Sequence, residues 1–123
     1  MQISDAESQV METLWQAHPL TAEQGAERLA PHQAWELSTV KTLLNRLLKK
    51  RAVAADRDGR RYLYRPLIAR ADYVHAESSG LLDRLFGGRV APLVAHFSEQ
   101  RKLTKKDIAE LRKLLQELDD GQH

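Results

Sequence analysis

One change of period constrains this chain more than any other feature. Up to residue 50 the apolar residues recur at helical spacing in three short blocks. From Val53 to Arg65 they alternate around an Asp58-Gly59 dipeptide. The first block, residues 4–17, opens with a capping box, in which Ser4 accepts from the N–H three residues on and Glu7 reaches back. Val10, Met11, Leu14 and Trp15 follow on one face, and His18-Pro19 ends the block, because the residue before a proline is driven from the α region. Thr21 with Gln24 opens a second helix, which Pro31 stops. A third begins at Leu37-Ser38. Asp-Gly between two strand-like runs predicts a tight hairpin, with Tyr62 and Tyr64 on one face, Arg61, Leu63 and Arg65 on the other, and Pro66 at its end.

Helix, helix, helix, hairpin within about 65 residues is the order of a winged helix-turn-helix, whose third helix enters the major groove while the hairpin forms the wing. The fold class expected is mainly α with a small β-hairpin: a winged-helix domain over 1–68, followed by a helical domain over 69–123.

The third helix supports that placement. STVKTLLNRLLKK, residues 38–50, carries an aliphatic stripe of Val40, Leu44, Leu47 and Leu48, and an opposite stripe of Thr39, Lys41, Thr42, Asn45, Arg46 and Lys49, with no acid anywhere. Ser38, Thr39, Lys41 and Thr42 reach base edges and phosphates without bulk. Asn45 suits adenine bidentately, and Arg46 suits guanine or a phosphate. A solvated helix face is the plain alternative for such a stripe. Its position in the array, and the arginine-rich hairpin behind it, favour DNA.

Charge distribution agrees. The formal net charge is only +2, yet residues 41–70 hold ten basic residues against Asp56 and Asp58, a local +8. Concentrated positive potential gathers anionic partners. Arg57, Arg60 and Arg61 flank the turn. They either guard a hairpin edge or line a wing that follows the DNA backbone. Tyr62 and Tyr64 read chiefly as packing residues, one of them within reach of a phosphate through its hydroxyl. Trp15 reads as core, and Trp35 lies in the loop before the third helix.

Past the hairpin the chain is helical. Residues 69–86 and 89–98 are separated by Gly87-Gly88, and Thr104 with Asp107 opens a last helix. There Ile108, Leu111, Leu115 and Leu118 fall at 3-4-3 spacing, two heptads of a pairing seam. A chain of 123 residues without cysteine has no disulfide or thiolate metal site. His18, His32, His75, His96 and His123 are scattered without metal-ligand spacing. There is no phosphate-binding glycine loop, nucleophile elbow or catalytic cysteine, so neither an enzyme, a metal site nor a cofactor is expected. No apolar run is long enough to span a membrane, and the polar, acidic MQISDAESQ is unlike a secretory signal, which makes the expected location cytoplasmic.

Five segments, ISDAESQVMETLW, STVKTLLNRLLKKRAV, GRRYLYRP, LLDRLFGGRVAPLVAHF and DIAELRKLLQEL, resemble in order and in register the penicillinase and methicillin-resistance repressor family, BlaI/MecI, which also includes copper-responsive repressors. The resemblance covers almost the whole chain. It implies a homodimeric winged-helix repressor on a dyad operator in double-stranded DNA. By position, Ser38, Thr39, Lys41, Thr42 and Arg46 would contact DNA, with a wing around Arg60, Arg61 and Tyr62. The C-terminal helices would form the dimer, with Leu85, Phe86, Val94, Phe97, Ile108, Leu111, Leu115 and Leu118 as the candidate contacts. In the resistance repressors a membrane sensor-protease triggers cutting in the C-terminal part, and the matching bond here is His96-Phe97, where those repressors carry asparagine before the phenylalanine. Copper-responsive members use cysteine pairs, which this chain lacks. Two other readings of the residues remain: a winged helix that binds protein, and a DNA-binding regulator that responds to a small molecule.

Overall fold

A computed structural model describes residues 2–121; His123 lies outside them. The order is α1 (Asp5–Gln16), α2 (Ala22–Leu29), α3 (Leu37–Lys49), β1 (Val53–Asp58), β2 (Arg61–Pro66), α4 (Arg70–Phe86), α5 (Val90–Glu99) and α6 (Lys105–Gly121). This is the mainly α arrangement with one hairpin that the change of period predicts. The chain divides into two compact units between His75 and Ala76, inside α4.

In the first unit, both expected capping boxes form. Ser4 Oγ accepts from Glu7 N at 3.1 Å while Glu7 Oε1 accepts from Ser4 N at 3.3 Å. Thr21 and Gln24 repeat the exchange at 3.1 and 2.8 Å. With their first turns closed, α1 and α2 bury Val10, Met11, Leu14 and Leu29 against Val40, Leu43, Leu44 and Leu47 of α3. Leu43, outside the expected stripe, is buried, whereas Leu48 is half-buried. Each large aliphatic side chain buried this way is worth about 1.5–3 kcal/mol.

The end of α3 sets the direction of the hairpin. Arg51 takes a left-handed conformation (φ +61°), Ala52 N donates to Leu47 O at 2.9 Å, and Arg51 N donates to Leu48 O at 3.0 Å. This is a Schellman motif with arginine where glycine is usual. It delivers Ala52 and Val53 into the core and starts β1. The strands pair antiparallel from Val53–Pro66 to Asp58–Arg61. Asp58 is thus the last paired residue of β1, and the two-residue turn is Gly59-Arg60, one residue later than the Asp58-Gly59 turn expected. Gly59 supplies the positive φ (+65°).

A third backbone segment joins the hairpin. Leu20 and Tyr64 exchange both backbone hydrogen bonds, at 3.0 and 2.7 Å, so the link between α1 and α2 lies alongside β2. Tyr64 is buried there, and burial pushes its hydroxyl pKa up, with the charge of Glu23 adding to the effect. Trp15 packs against the core, donates from Nε1 to Ile68 O at 2.9 Å and stacks obliquely on Tyr73. Arg70 pairs with Glu12 at 3.1 Å. These contacts hold the first turns of α4 against α1, which is why the first unit runs past residue 68. Trp35 also packs against the core, half-buried.

In the second unit, Thr104 and Asp107 close the start of α6 with reciprocal bonds of 3.1 and 3.0 Å. Gly87 and Gly88 both take positive φ between α4 and α5, and Arg101 (φ +56°) repeats at the end of α5 the turn that Arg51 makes after α3. No residue of α4, α5 or α6 is buried.

Candidate nucleic-acid interface

Helix α3 buries one face and presents the other. Ser38, Thr39, Lys41, Thr42, Asn45, Arg46 and Lys49 are all exposed. Unlike α1, α2 and α6, it starts without a side-chain cap; Glu36 occupies the capping position but makes no capping bond, and the first turn holds no acid. Ser38 and Thr39 therefore stand at the positive end of a helix whose terminus is not covered. The Thr42 hydroxyl donates to Ser38 O at 3.0 Å, and the exposed side chain can still accept through its lone pairs.

The hairpin brings a second set of residues to the same side. Lys41, Arg60, Arg61 and Tyr62 line one open cleft together with Ala22, Glu23 and Tyr64. Tyr62 and Tyr64 share a strand face, but Tyr64 lies over the core, while Tyr62, nearer the tip, is half exposed. The fold thus joins four of the nine expected contact residues in the cleft. Ser38, Thr39, Thr42, Asn45 and Arg46 continue along the exposed face of α3.

Ion pairs redistribute the charge of residues 41–70. Arg61 grips Asp58 through Nε and Nη2 at 3.1 and 2.9 Å, and Arg65 meets Asp56 at 2.9 Å. Lys50 donates to Glu7 at 2.7 Å, Arg70 pairs with Glu12, and Lys41 stands 3.9 Å from Glu23. Among the described residues, Arg46, Lys49, Arg51, Arg57 and Arg60 have no carboxylate within ion-pairing distance. The local positive field is therefore carried mainly by these five: Arg46 and Lys49 in the C-terminal half of α3, Arg51 just past its end, and Arg57 and Arg60 at the hairpin tip.

Lys50 is the basic residue whose role the sequence conceals. Glu7 is buried, and its Oε1 accepts from both Lys50 and Ser4, while Oε2 has no partner. Burial pushes the Glu7 carboxyl up, but the Lys50 ammonium and the Ser4 hydroxyl and N–H outweigh it and hold it below its ordinary value. The pair ties the end of α3 to the start of α1, and so positions the exposed face of α3 in the unit. The two residues lie 43 apart in the chain.

The remaining expected residues belong to the second unit. Leu85, Phe97, Ile108, Leu115 and Leu118 are exposed, and Phe86, Val94 and Leu111 are half-buried. His96 is exposed, with its ring 5.2 Å from Phe97 and 6.2 Å from Phe86. Leu114, outside the 3-4-3 set, is more than half exposed on the same helix. Among the described residues no cluster of His, Asp or Glu is arranged to hold a metal, and no helix is long and apolar enough to cross a membrane.

The profile of the penicillinase repressor family matches residues 3–117. The penicillinase repressor of Bacillus licheniformis is 34% identical over 116 residues, covering 94% of this chain and 91% of that protein. The methicillin resistance regulatory protein MecI of Staphylococcus aureus is 29% identical over 114 residues, 93% of each chain. Among solved structures, monomeric BlaI of Bacillus licheniformis in complex with the blaP half-operator superposes with a TM-score of 0.52 at 36% identity, over 59% of this chain and 89% of that one. One relative is a penicillinase repressor, another a regulatory protein, the superposed structure is held on a half-operator, and this chain belongs to the penicillinase repressor family.

Proposed function

We propose that this protein is a cytoplasmic, sequence-specific repressor that binds double-stranded DNA as a homodimer on a dyad operator. The observation that carries the reading is the convergence of the acid-free face of α3 with the hairpin cleft of Lys41, Arg60, Arg61 and Tyr62. The half-operator complex of a 36%-identical relative supports it.

In mechanism, phosphate contacts from the unpaired cations supply affinity that is blind to sequence and steep in salt. Base contacts choose the site: Asn45 suits adenine, and Arg46 suits guanine, each good bidentate pair contributing about 1–3 kcal/mol. One half-site binds weakly. A dimer makes its second contact at high effective concentration. The exposed apolar faces of the second unit suit that dimer, since a second copy would cover Leu85, Leu115 and Leu118.

Release would follow from a signal acting on the second unit. Cutting by a sensor-protease at His96-Phe97 fits this reading: both residues are exposed, and α5 has no buried side chain to resist local opening. Fluorescence anisotropy on duplexes tiling the DNA upstream of the protein's own gene tests the proposal. One dyad-containing duplex should bind tightly against bulk competitor, and Arg46→Ala should weaken that binding by about 1–3 kcal/mol with its thermal unfolding unchanged. Weak, uniform binding to every duplex, or an unaltered affinity in the variant, would contradict it; uniform weakness would favour a winged helix that binds protein.

A further inference from the structure

Glu23 is out of place by the logic of the surface around it. It lies in the first turn of α2, it lines the cleft with Lys41, Arg60, Arg61 and Tyr62, and among the described residues it is the only acid in that lining. A helix N-terminus that faces DNA ordinarily favours a phosphate. Here Thr21 and Gln24 already occupy that terminus with their capping box, and Glu23 adds a negative charge beside it. A first-turn acid also stabilises its own helix, but only weakly, and that gain is available at any first-turn position. This one stands 3.9 Å from Lys41, with both side chains more than half exposed. Such an exposed pair contributes little, so Lys41 is held loosely rather than locked.

We propose that Glu23 is a specificity-determining residue, which discriminates against sequence-blind DNA by devaluing the phosphate-binding power of the cleft. The inference rests on the DNA-binding reading above and deepens it. Non-specific binding is almost wholly electrostatic, so a duplex without the right bases settles where the positive potential is greatest. Lys41 and Arg60 make the cleft one such place, but Glu23 pairs loosely with Lys41 and repels a phosphate entering beside Arg60. Arg61 is already drawn to Asp58. On the operator, the base contacts of α3 fix the register of the duplex, and Lys41 leaves its weak pair for DNA. The charge therefore burdens the wrong complex more than the right one.

The test is Glu23→Gln in the full-length protein, a substitution of the same shape at an exposed site. Binding is measured by anisotropy as a function of salt. The probes are a duplex that the wild-type protein selects from a random-sequence pool and a scrambled duplex of the same length and composition. The scrambled duplex should bind about 3–10-fold tighter, with a salt slope steeper by about one as one more phosphate contact forms, while the selected duplex tightens by less than about twofold. Equal tightening on both duplexes, no change on either, or weaker binding to the selected duplex would each overturn the inference. Failure of the wild-type protein to select any duplex would overturn the DNA-binding reading as well, so the two failures are distinguishable.

Discussion

The two units use similar helices to opposite ends. Among the described residues, all thirteen buried apolar ones lie from Val10 to Tyr64, in the first unit. The helices α4, α5 and α6 also carry leucines, yet none of their residues is buried, and Leu85, Val90, Leu114, Leu115 and Leu118 are each more than half exposed. Helices in proteins owe most of their stability to burial of an apolar face rather than to propensity. The first unit therefore holds its own core, whereas the second leaves its apolar faces open, as the proposed homodimer requires. Under the proposed function, recognition in the self-sufficient unit and association in the other would let a signal loosen the dimer without unfolding the reading surface.

The largest expected effect sharpens that contrast from the first unit. Leu47 is fully buried in α3, and Leu47→Ala should lower the stability of the first unit by about 2–5 kcal/mol, a loss that urea unfolding would find independent of protein concentration. A loss that shrinks as the protein is concentrated would mean that the two units fold as one. The reciprocal change is Leu111→Glu, which puts a charge into the apolar face of α6. It should weaken association by about 2–4 kcal/mol, seen by sedimentation as a shift to monomer, while the urea transition of the first unit stays in place. A dimer that persists at micromolar protein would move the seam elsewhere.

A smaller effect concerns the buried Glu7–Lys50 pair. Lys50→Met should cost about 1–3 kcal/mol, chiefly by leaving the Glu7 carboxylate buried without its cation, with the figure held down because Lys50 is about one-third exposed. The pH dependence has a definite sign. The folded state holds the Glu7 carboxyl below its ordinary 4.5, so the unfolded chain takes up a proton first. The contribution is present above that ordinary value and is lost as the pH falls through the lower folded one. Glu7→Gln should thus flatten the acid limb of the urea midpoint against pH; an unchanged acid limb would show that other carboxylates set it. The smallest effect is a gain. Arg51→Gly relieves a left-handed arginine and should stabilise the first unit by about 1 kcal/mol, read as a higher urea midpoint. A lower midpoint would mean that the Arg51 side chain supports the end of α3.

Local signals in the sequence carried most of the fold. The Ser4–Glu7, Thr21–Gln24 and Thr104–Asp107 caps, the stops at Pro19 and Pro31, and the shift from helical to alternating period all act within a few residues, and each element forms where they place it. The turn moved by one residue because strand register, rather than the Asp-Gly dipeptide alone, decides which residues remain unpaired. What the sequence could not carry was distant in the chain. The Leu20–Tyr64 bridge, the Glu7–Lys50 pair and the Arg70–Glu12 pair each join residues more than forty apart. The charge reading was coarse for another reason: a block of ten cations looks uniform until the hairpin register pairs Arg61 and Arg65 with acids of the same hairpin and leaves Arg46 and Arg60 without one. The exposed face of α3 was legible because its period and its lack of acids are local properties; Glu23 was not, because only the fold brings it to Lys41.

The most direct test of the account compares one dyad duplex with the same duplex scrambled in one half, by anisotropy at about 150 mM salt, where non-specific binding is suppressed. If recognition sits in the first unit and the second supplies the dimer, wild-type protein should prefer the intact dyad by roughly 10²–10⁴-fold, and Leu111→Glu should lose most of that preference while keeping its half-site affinity. Equal binding of wild-type protein to both duplexes would contradict the division of labour between the two units.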